Sequence, residues 1–342
     1  MRRLFFKGSP VRRLAIAAAV MLVGSGCAEI QVTGPRLRIL GTVQDGGLPH
    51  VGCWCSNCQA ARASPSRRRY VSSVALILPR PSGHPSIYLI DATPDLRSQL
   101  DLLHDVRPGV TDGIDRSPVD GVFLTHAHIG HYLGLAFFGY EALNTSNLPV
   151  YCTPRMADFL RTNGPWSQLV RIGNVQLQTL EQRRPVRVPV DDAKGDHVLI
   201  TPLTVPHRDE YSDTVGFIIR REHRENEAAG SAVLFVPDTE PWERWNPSLL
   251  KVIEQYGVNV AILDGTFYSG DELPDRGTGK IGHPLMKDTM DLLEPLVRAG
   301  RLTVYFTHLN HSNPALDPAS PASREIRRRG IRVAKEGMEL PL

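Results

Sequence analysis

The 342-residue chain is 42% hydrophobic and 22% charged, the composition of an ordinary globular protein with apolar material for a sizeable core. Its formal net charge of +3 is too small for a nucleic-acid binder, and Arg2, Arg3, Lys7, Arg12 and Arg13 place much of the excess ahead of any folded body. No basic stripe with interleaved aromatics is visible in the rest of the chain, so no nucleic-acid partner is expected.

The first 27 residues read as an export signal. A basic segment precedes the apolar run Leu14 to Val23, then Gly24-Ser25-Gly26 and Cys27. The run is about half the ~20 residues that span a bilayer as a helix, a poor permanent anchor. Small residues before a cysteine resemble a bacterial lipobox, although Gly24 stands where such signals carry Leu. Lipidation of Cys27 would make this an exported, periplasmic lipoprotein held to the membrane by its lipid; an ordinary cleaved signal peptide is the alternative. Arg2-Arg3-Leu4-Phe5-Phe6-Lys7 also resembles a twin-arginine motif, which carries proteins across already folded, though the second pair Arg12-Arg13 competes with it.

Residues 28–36 read as a tether, and a single domain is expected over 37–342, beginning with the strand-like Leu37–Gly41. Further strands are expected at Ser73–Leu78, Ile87–Ile90, Val122–Leu124, Val198–Val205, Val215–Ile219, Ala232–Val236, Val260–Leu263 and Leu302–Phe306. Helix-like stretches fall between them at Pro94–Leu103, His131–Tyr140, Arg155–Asn163, Pro247–Gln255 and Leu285–Arg298. No internal repeat or low-complexity block is visible. Strands punctuated by helices predict one α/β domain with helices packed outside two sheets.

The residues directly after the apolar runs carry a more specific signal. Gly121–Thr125 leads into His126-Ala127-His128-Ile129-Gly130-His131. The runs before His207, Asp238 and His308 end in the same way. Strands ending on one edge would gather these side chains in a shared pocket. In extended chain, residues two apart point the same way, so His126 and His128 can face one ion. A helix starting near Gly130 would return His131 to it. Imidazole with carboxylate suits zinc, manganese or iron better than calcium or magnesium.

These motifs resemble the metallo-β-lactamase superfamily, with its His-x-His-x-Asp-His motif followed by a His, an Asp and a His on later strands. The resemblance implies an αββα sandwich in which His126, His128 and His207 hold one metal. It implies that Asp238 bridges to a second, completed by His131 and His308. Gly130 departs from the pattern, standing where the motif has an Asp that ligates the second metal. A weak, empty or differently selective second site is therefore expected. Family members lower the pKa of a metal-bound water and use the hydroxide on an ester, amide or phosphodiester.

Cys53-Trp54-Cys55-Ser56-Asn57-Cys58 supplies three thiols that cannot all pair with one another, and only Cys27 and Cys152 remain elsewhere. Three thiolates and a histidine make a tetrahedral structural zinc site; His311 is the candidate fourth ligand, and a disulfide-forming or reactive loop is the alternative. The cluster narrows the resemblance to the branch holding pyrroloquinoline-quinone biosynthesis protein B and the phosphonate-pathway cyclic phosphodiesterase, on Gly46-Gly47-Leu48-Pro49, Asp91–Arg97, Asp264-Gly265-Thr266, Asp238-Thr239 and His308…His311.

Gly277–His283 is a Gly-rich segment before a helix. By resemblance to the phosphodiesterase, His283 is a candidate general acid or anion-binding group; a helix-capping surface role is the alternative. Asp91 and Asp264 follow apolar runs and are expected to orient metal-binding histidines. Tyr211 and Asp213 could line the pocket, and Arg327-Arg328-Arg329 reads as a solvated helix end. The leading expectation is a metal-dependent hydrolase of a small anionic molecule, in the manner of a phosphodiesterase. A cofactor-precursor oxidation role and a non-catalytic metal- or ligand-binding lipoprotein are the alternatives.

Overall fold

Strand residues that are apolar at all but the first position, as in Ser73–Leu78 (SVALIL), suit strands covered on both faces. The computed structural model describes residues 34–81, 83–107, 117–191, 195–222, 230–272 and 282–342. The export signal, Cys27, most of the tether and segment 277–281 lie outside them. Two seven-stranded sheets form among the described residues. The first contains β1 (Arg36–Gly41), β2 (Ser73–Leu78), β3 (Ser86–Ile90), β4 (Gly121–Phe123), β5 (Leu148–Cys152), β6 (Val175–Thr179) and β14 (Glu339–Pro341), in the order β14-β1-β2-β3-β4-β5-β6. The second contains β7 (Val186–Asp191), β8 (Asp196–Thr204), β9 (Val215–Arg221), β10 (Ala232–Val236), β11 (Val260–Asp264), β12 (Thr303–Thr307) and β13 (Arg332–Val333), in the order β13-β12-β11-β10-β9-β8-β7.

Alternate residues divide between three cores. Val74, Leu76, Ile90 and Phe123 of the first sheet meet Ile200, Phe217, Phe235 and Ile262 of the second. The outer face of the first sheet, through Ala75, Ile77 and Val122, packs beneath α2 (Leu96–Asp101), α3 (Ile129–Tyr132), α4 (Pro154–Thr162) and α5 (Trp166–Arg171). Leu234, Val236, Leu263 and Phe306 pack beneath α1 (Ser56–Ala63), α6 (Leu249–Tyr256), α7 (Met286–Arg298) and α8 (Pro321–Arg328). This is the αββα sandwich.

Topology then places the site. β10, β11 and β12 are parallel, and β8 shares their direction because β9 runs antiparallel to both β8 and β10. In the first sheet β3 and β4 are parallel, and β1 shares their direction through the antiparallel β2. The carboxyl ends of these strands meet on one edge, where backbone hydrogen bonds join the sheets: Gln44 N to Leu309 O at 3.0 Å, Leu309 N to Thr42 O at 2.9 Å and Val215 N to Thr125 O at 3.0 Å.

Some boundaries differ from those expected. Arg36 belongs to β1 and ion-pairs with Glu339 at 2.9 Å, so the tether ends before it. The helix expected over His131–Tyr140 starts at Ile129, leaves the α ladder after Tyr132 and continues as a 3₁₀ stretch, Leu133–Phe138. The cause is a tertiary bond, Gly134 N to Ala92 O at 2.9 Å, at a position where a Cβ would lie 2.2 Å from Thr93 O. Arg329 is no solvated helix end: it bonds Glu325 at 2.9 Å and lies 3.2 Å from Glu294, tying α8 to α7.

Candidate metal centre

The run leaving β4 is extended at His128 (φ −96°, ψ 147°) before α3 begins. His126 Nε2 and His128 Nδ1 approach to 2.9 Å, and His207 Nε2, from beyond β8, lies 3.1 Å from the same His128 Nδ1. Asp238, from beyond β10, sets its Oδ2 at 3.2 Å from His207 Nε2 and 3.4 Å from His126 Nε2. Metal–ligand bonds of about 2.1 Å put neighbouring ligand atoms roughly 3.0–3.4 Å apart. Three imidazoles and a carboxylate, all but His128 buried, thus have the spacing of one ion's shell.

The opposite ring nitrogens of His126, His128, His131 and His308 are held, while His207 Nδ1 is buried without a hydrogen bond. The Thr125 hydroxyl donates to Asp91, so its oxygen accepts from His126 Nδ1 at 3.0 Å and leaves Nε2 as a lone pair. His131 Nδ1 donates to Asp91 Oδ2 at 2.7 Å, and His128 Nε2 to Glu210 Oε2 at 2.9 Å. The Thr266 hydroxyl donates to His308 O and its oxygen accepts from His308 Nδ1 at 3.0 Å. Such partners fix the tautomer that a metal requires. Asp91 thus orients a histidine. Asp91 and His308 both hold left-handed backbone, φ 68° and 60°, a conformation costly for His and retained where surroundings enforce it.

His131 Nε2 and His308 Nε2 each lie 3.8 Å from Asp238 Oδ2. Both are fully buried without a hydrogen-bond partner, and so is Asp238 Oδ1. Asp238 Oδ1 faces His283 Nδ1 at 3.3 Å, but the two histidine nitrogens have nothing to bond, which is costly for sealed polar atoms, and a divalent cation satisfies both. Burial opposes charge on Asp238, but His308, His207 and His283 outweigh it and hold the carboxyl well below the usual carboxylate range. Burial likewise opposes charge on His131, yet Asp91, then Asp45 and Asp238, push it up to about 9. The donor set calls for positive charge.

Asp45 was not among the residues picked from the sequence. It belongs to Gln44-Asp45-Gly46-Gly47 beyond β1, and its Oδ1 lies 3.9 Å from His131 Nε2. A strand-end test that allowed four residues of run-on after Gly41 would have found it.

His283 is not a surface cap. Its side chain is 12% exposed, with Nδ1 2.9 Å from Asp264 Oδ2 and 3.3 Å from Asp238 Oδ1. Burial would lower its pKa, but Asp264 and Asp238 outweigh that and raise it to about 10. Asp264 bonds His283 and the Thr239 and Thr266 amides, and supports His308 only through Thr266. Tyr211 is exposed with its ring against Phe159, and Asp213 accepts a hydrogen bond from Thr153, the N-cap of α4.

A second donor cluster joins Cys53, Cys55, Cys58 and His311, whose ligand atoms lie within 4.8 Å of one another. Cys53 Sγ is 3.3 Å and Cys55 Sγ 3.6 Å from His311 Nδ1, and all three thiols are free. The cluster ties the segment after β1 to the segment after β12, which carries His308.

Residues 87–309 match the family described as Beta-lactamase superfamily domain. Coenzyme PQQ synthesis protein B of Klebsiella pneumoniae (strain 342) is 26% identical over 319 residues, spanning 90% of this chain and 98% of its own length. The protein of that name from Methylobacterium radiotolerans is 28% identical over 330 residues, spanning 90% and 100%. Among solved structures, Zn(2+)-bound PqqB from Methylobacterium extorquens superposes with a TM-score of 0.69 at 24% identity, over 90% of this chain and 100% of that one. A diphosphatase from the PhnP family superposes with a TM-score of 0.57 at 20% identity, over 90% and 97%. Both share this fold.

Proposed function

The chain belongs to the metallo-β-lactamase-fold superfamily, matched over residues 87–309, and from that premise we propose that it is a metal-dependent hydrolase of a small anionic substrate of the phosphodiester class. One observation carries the reading: a half-buried histidine, His283, sets its Nδ1 3.3 Å from the shared carboxylate of a three-histidine donor set. His126, His128, His207 and Asp238 would hold a divalent metal, zinc first, with manganese or iron as alternatives. Bound there, the metal supplies an acidified water and a Lewis acid for the scissile centre. His283, kept protonated by Asp264 and Asp238, offers a proton to the departing oxygen or pairs with the substrate's charge. Cys53, Cys55, Cys58 and His311 would hold a structural zinc. Export and lipid attachment at Cys27 belong to the same reading and rest on the sequence alone.

The test is hydrolysis of a phosphodiester panel by metal-loaded protein, with His283→Gln beside wild type. A general acid predicts that the variant loses far more rate on alkyl than on p-nitrophenyl leaving groups. No turnover on any diester at full metal occupancy would refute the hydrolase and favour a non-catalytic binding lipoprotein. A second reading, a part in cofactor-precursor oxidation, is favoured by matches to Coenzyme PQQ synthesis protein B over 90% of the chain. Conversion of such a precursor with no diester turnover would establish it.

A further inference from the structure

The motif residue missing at position 130 has a structural counterpart. An ideal Cβ on Gly130 would lie 2.0 Å from Asp45 Oδ1, 2.8 Å from its Cγ and 2.9 Å from its Cα. The space of a side chain at 130 is thus filled by the Asp45 carboxyl, which accepts the Gly130 amide at 2.9 Å. Asp45 forms a donor group with His131 and His308, all ligand atoms within 4.8 Å. Both histidine Nε2 atoms are fully buried without hydrogen bonds and flank Asp238 Oδ2 at 3.8 Å. We propose that Asp45, reaching in from the segment after β1, supplies the carboxylate of a second divalent-metal site with His131, His308 and Asp238, and that position 130 is glycine to admit it.

The competing carboxylate is Asp264, which shares a donor group with Asp238, His283 and His308. Its oxygens are already engaged: Oδ1 accepts from Thr266 N at 2.8 Å, and Oδ2 from Thr239 N at 3.1 Å and His283 Nδ1 at 2.9 Å. Its donor group also leaves out His131, whereas that of Asp45 holds both His131 and His308, so Asp45 is the carboxylate placed to complete the pair. The second site therefore has four protein ligands, not the three that the sequence alone indicates. Its assembly also depends on the cysteine–His311 cluster, which fixes the segments carrying Asp45 and His308.

The proposal rests on the metal-centre reading of the site but not on hydrolysis. Its test uses Mn²⁺ on the full chain, because manganese favours oxygen and imidazole over thiolate. Electron paramagnetic resonance and calorimetric titration should show two ions in the wild type, magnetically coupled. Asp45→Asn keeps an acceptor for the Gly130 amide, so its melting temperature should stay near wild type. Its second-ion affinity should fall at least about tenfold, the scale set by losing even an outer partner of a ligand, leaving an uncoupled ion. The double variant Asp45→Ala/Gly130→Asp should regain the coupled pair, whereas Gly130→Asp alone should not. A wild type that binds a single Mn²⁺, or an Asp45→Asn protein with an unchanged coupled pair, would overturn the proposal. If the metal results hold and no diester turns over, the hydrolase reading fails alone.

Discussion

Replacing Cys55 with serine probes how far the cysteine cluster holds the fold together. Cys53 and His311, whose ligand atoms are 3.3 Å apart, are separated by 258 residues of chain. A cross-link closing a loop of that length removes about 5.5 kcal/mol of unfolded-state freedom at 25 °C. This is an upper bound for zinc, because thiols of the unfolded chain also bind it. With one thiolate replaced, three ligands and a water retain some zinc, so a loss of roughly 2–5 kcal/mol is expected. At about 2 °C per kcal/mol for a chain of this size, the melting temperature should fall by roughly 4–10 °C and the zinc content by up to one per chain. Burial pushes the Cys58 thiol up to about 12. Zinc must therefore displace a proton there, and the difference between the proteins should shrink as acid competes for the ligands. Calorimetry with elemental analysis reads both quantities. An unchanged melting temperature with unchanged zinc, or a disulfide among the three cysteines in native thiol titration, would refute the site.

Gly130→Ala should cost roughly 1–3 kcal/mol by overpacking against Asp45 and should weaken metal binding at the second site, both read on the same samples; a variant with wild-type stability would contradict the 2.0 Å contact. Burial raises Glu336 above its ordinary pKa despite Arg69 and the bonds from Thr42 and Tyr70. A carboxyl held more tightly protonated when folded subtracts stability as pH climbs from its unfolded value through its folded one. Glu336→Gln should therefore raise the melting temperature near pH 7 and lose that advantage at pH values below the ordinary carboxylate range; the opposite trend would mean that Arg69 dominates. Cys27→Ser should abolish detergent partitioning while the described domain keeps its melting temperature, and unchanged partitioning would remove the lipid anchor.

The fold was legible where apolar runs were long and continuous. β2 and β10 have the expected boundaries, because strands buried on both faces carry apolar residues at nearly every position. β5, β6 and β7 escaped notice because Gln, Pro and Arg interrupt them, as in Val175–Thr179 with its sequence VQLQT. β14 is three residues long, and its place beside β1, with Arg38 opposite Glu339, is a contact across 301 residues of sequence. Local pattern carries no trace of such a pairing. α1 was masked by its own cysteines: the cluster drew attention to Cys53, Cys55 and Cys58 as ligands, while Ser56–Ala63 is the helix that presents the last of them.

The site divides along the same line. His126, His128, His207, Asp238 and His308 stand directly beyond recognisable strands, so a rule about parallel strand ends was enough to collect them. What the rule does not contain is compensation between segments distant in sequence. Gly130, taken alone, removes a ligand and predicts a crippled second site that an aspartate would mend. Placed beside Asp45, the same glycine is the vacancy that another carboxylate fills, 85 residues earlier in the chain and anchored by the Gly130 amide itself. The sign of the substitution reverses with that one contact. An aspartate at 130 brings a Cβ into an occupied space and a second negative charge beside the first, and becomes favourable only when Asp45 is shortened. A missing motif residue is therefore evidence about its own position, and the ligand count belongs to the cavity.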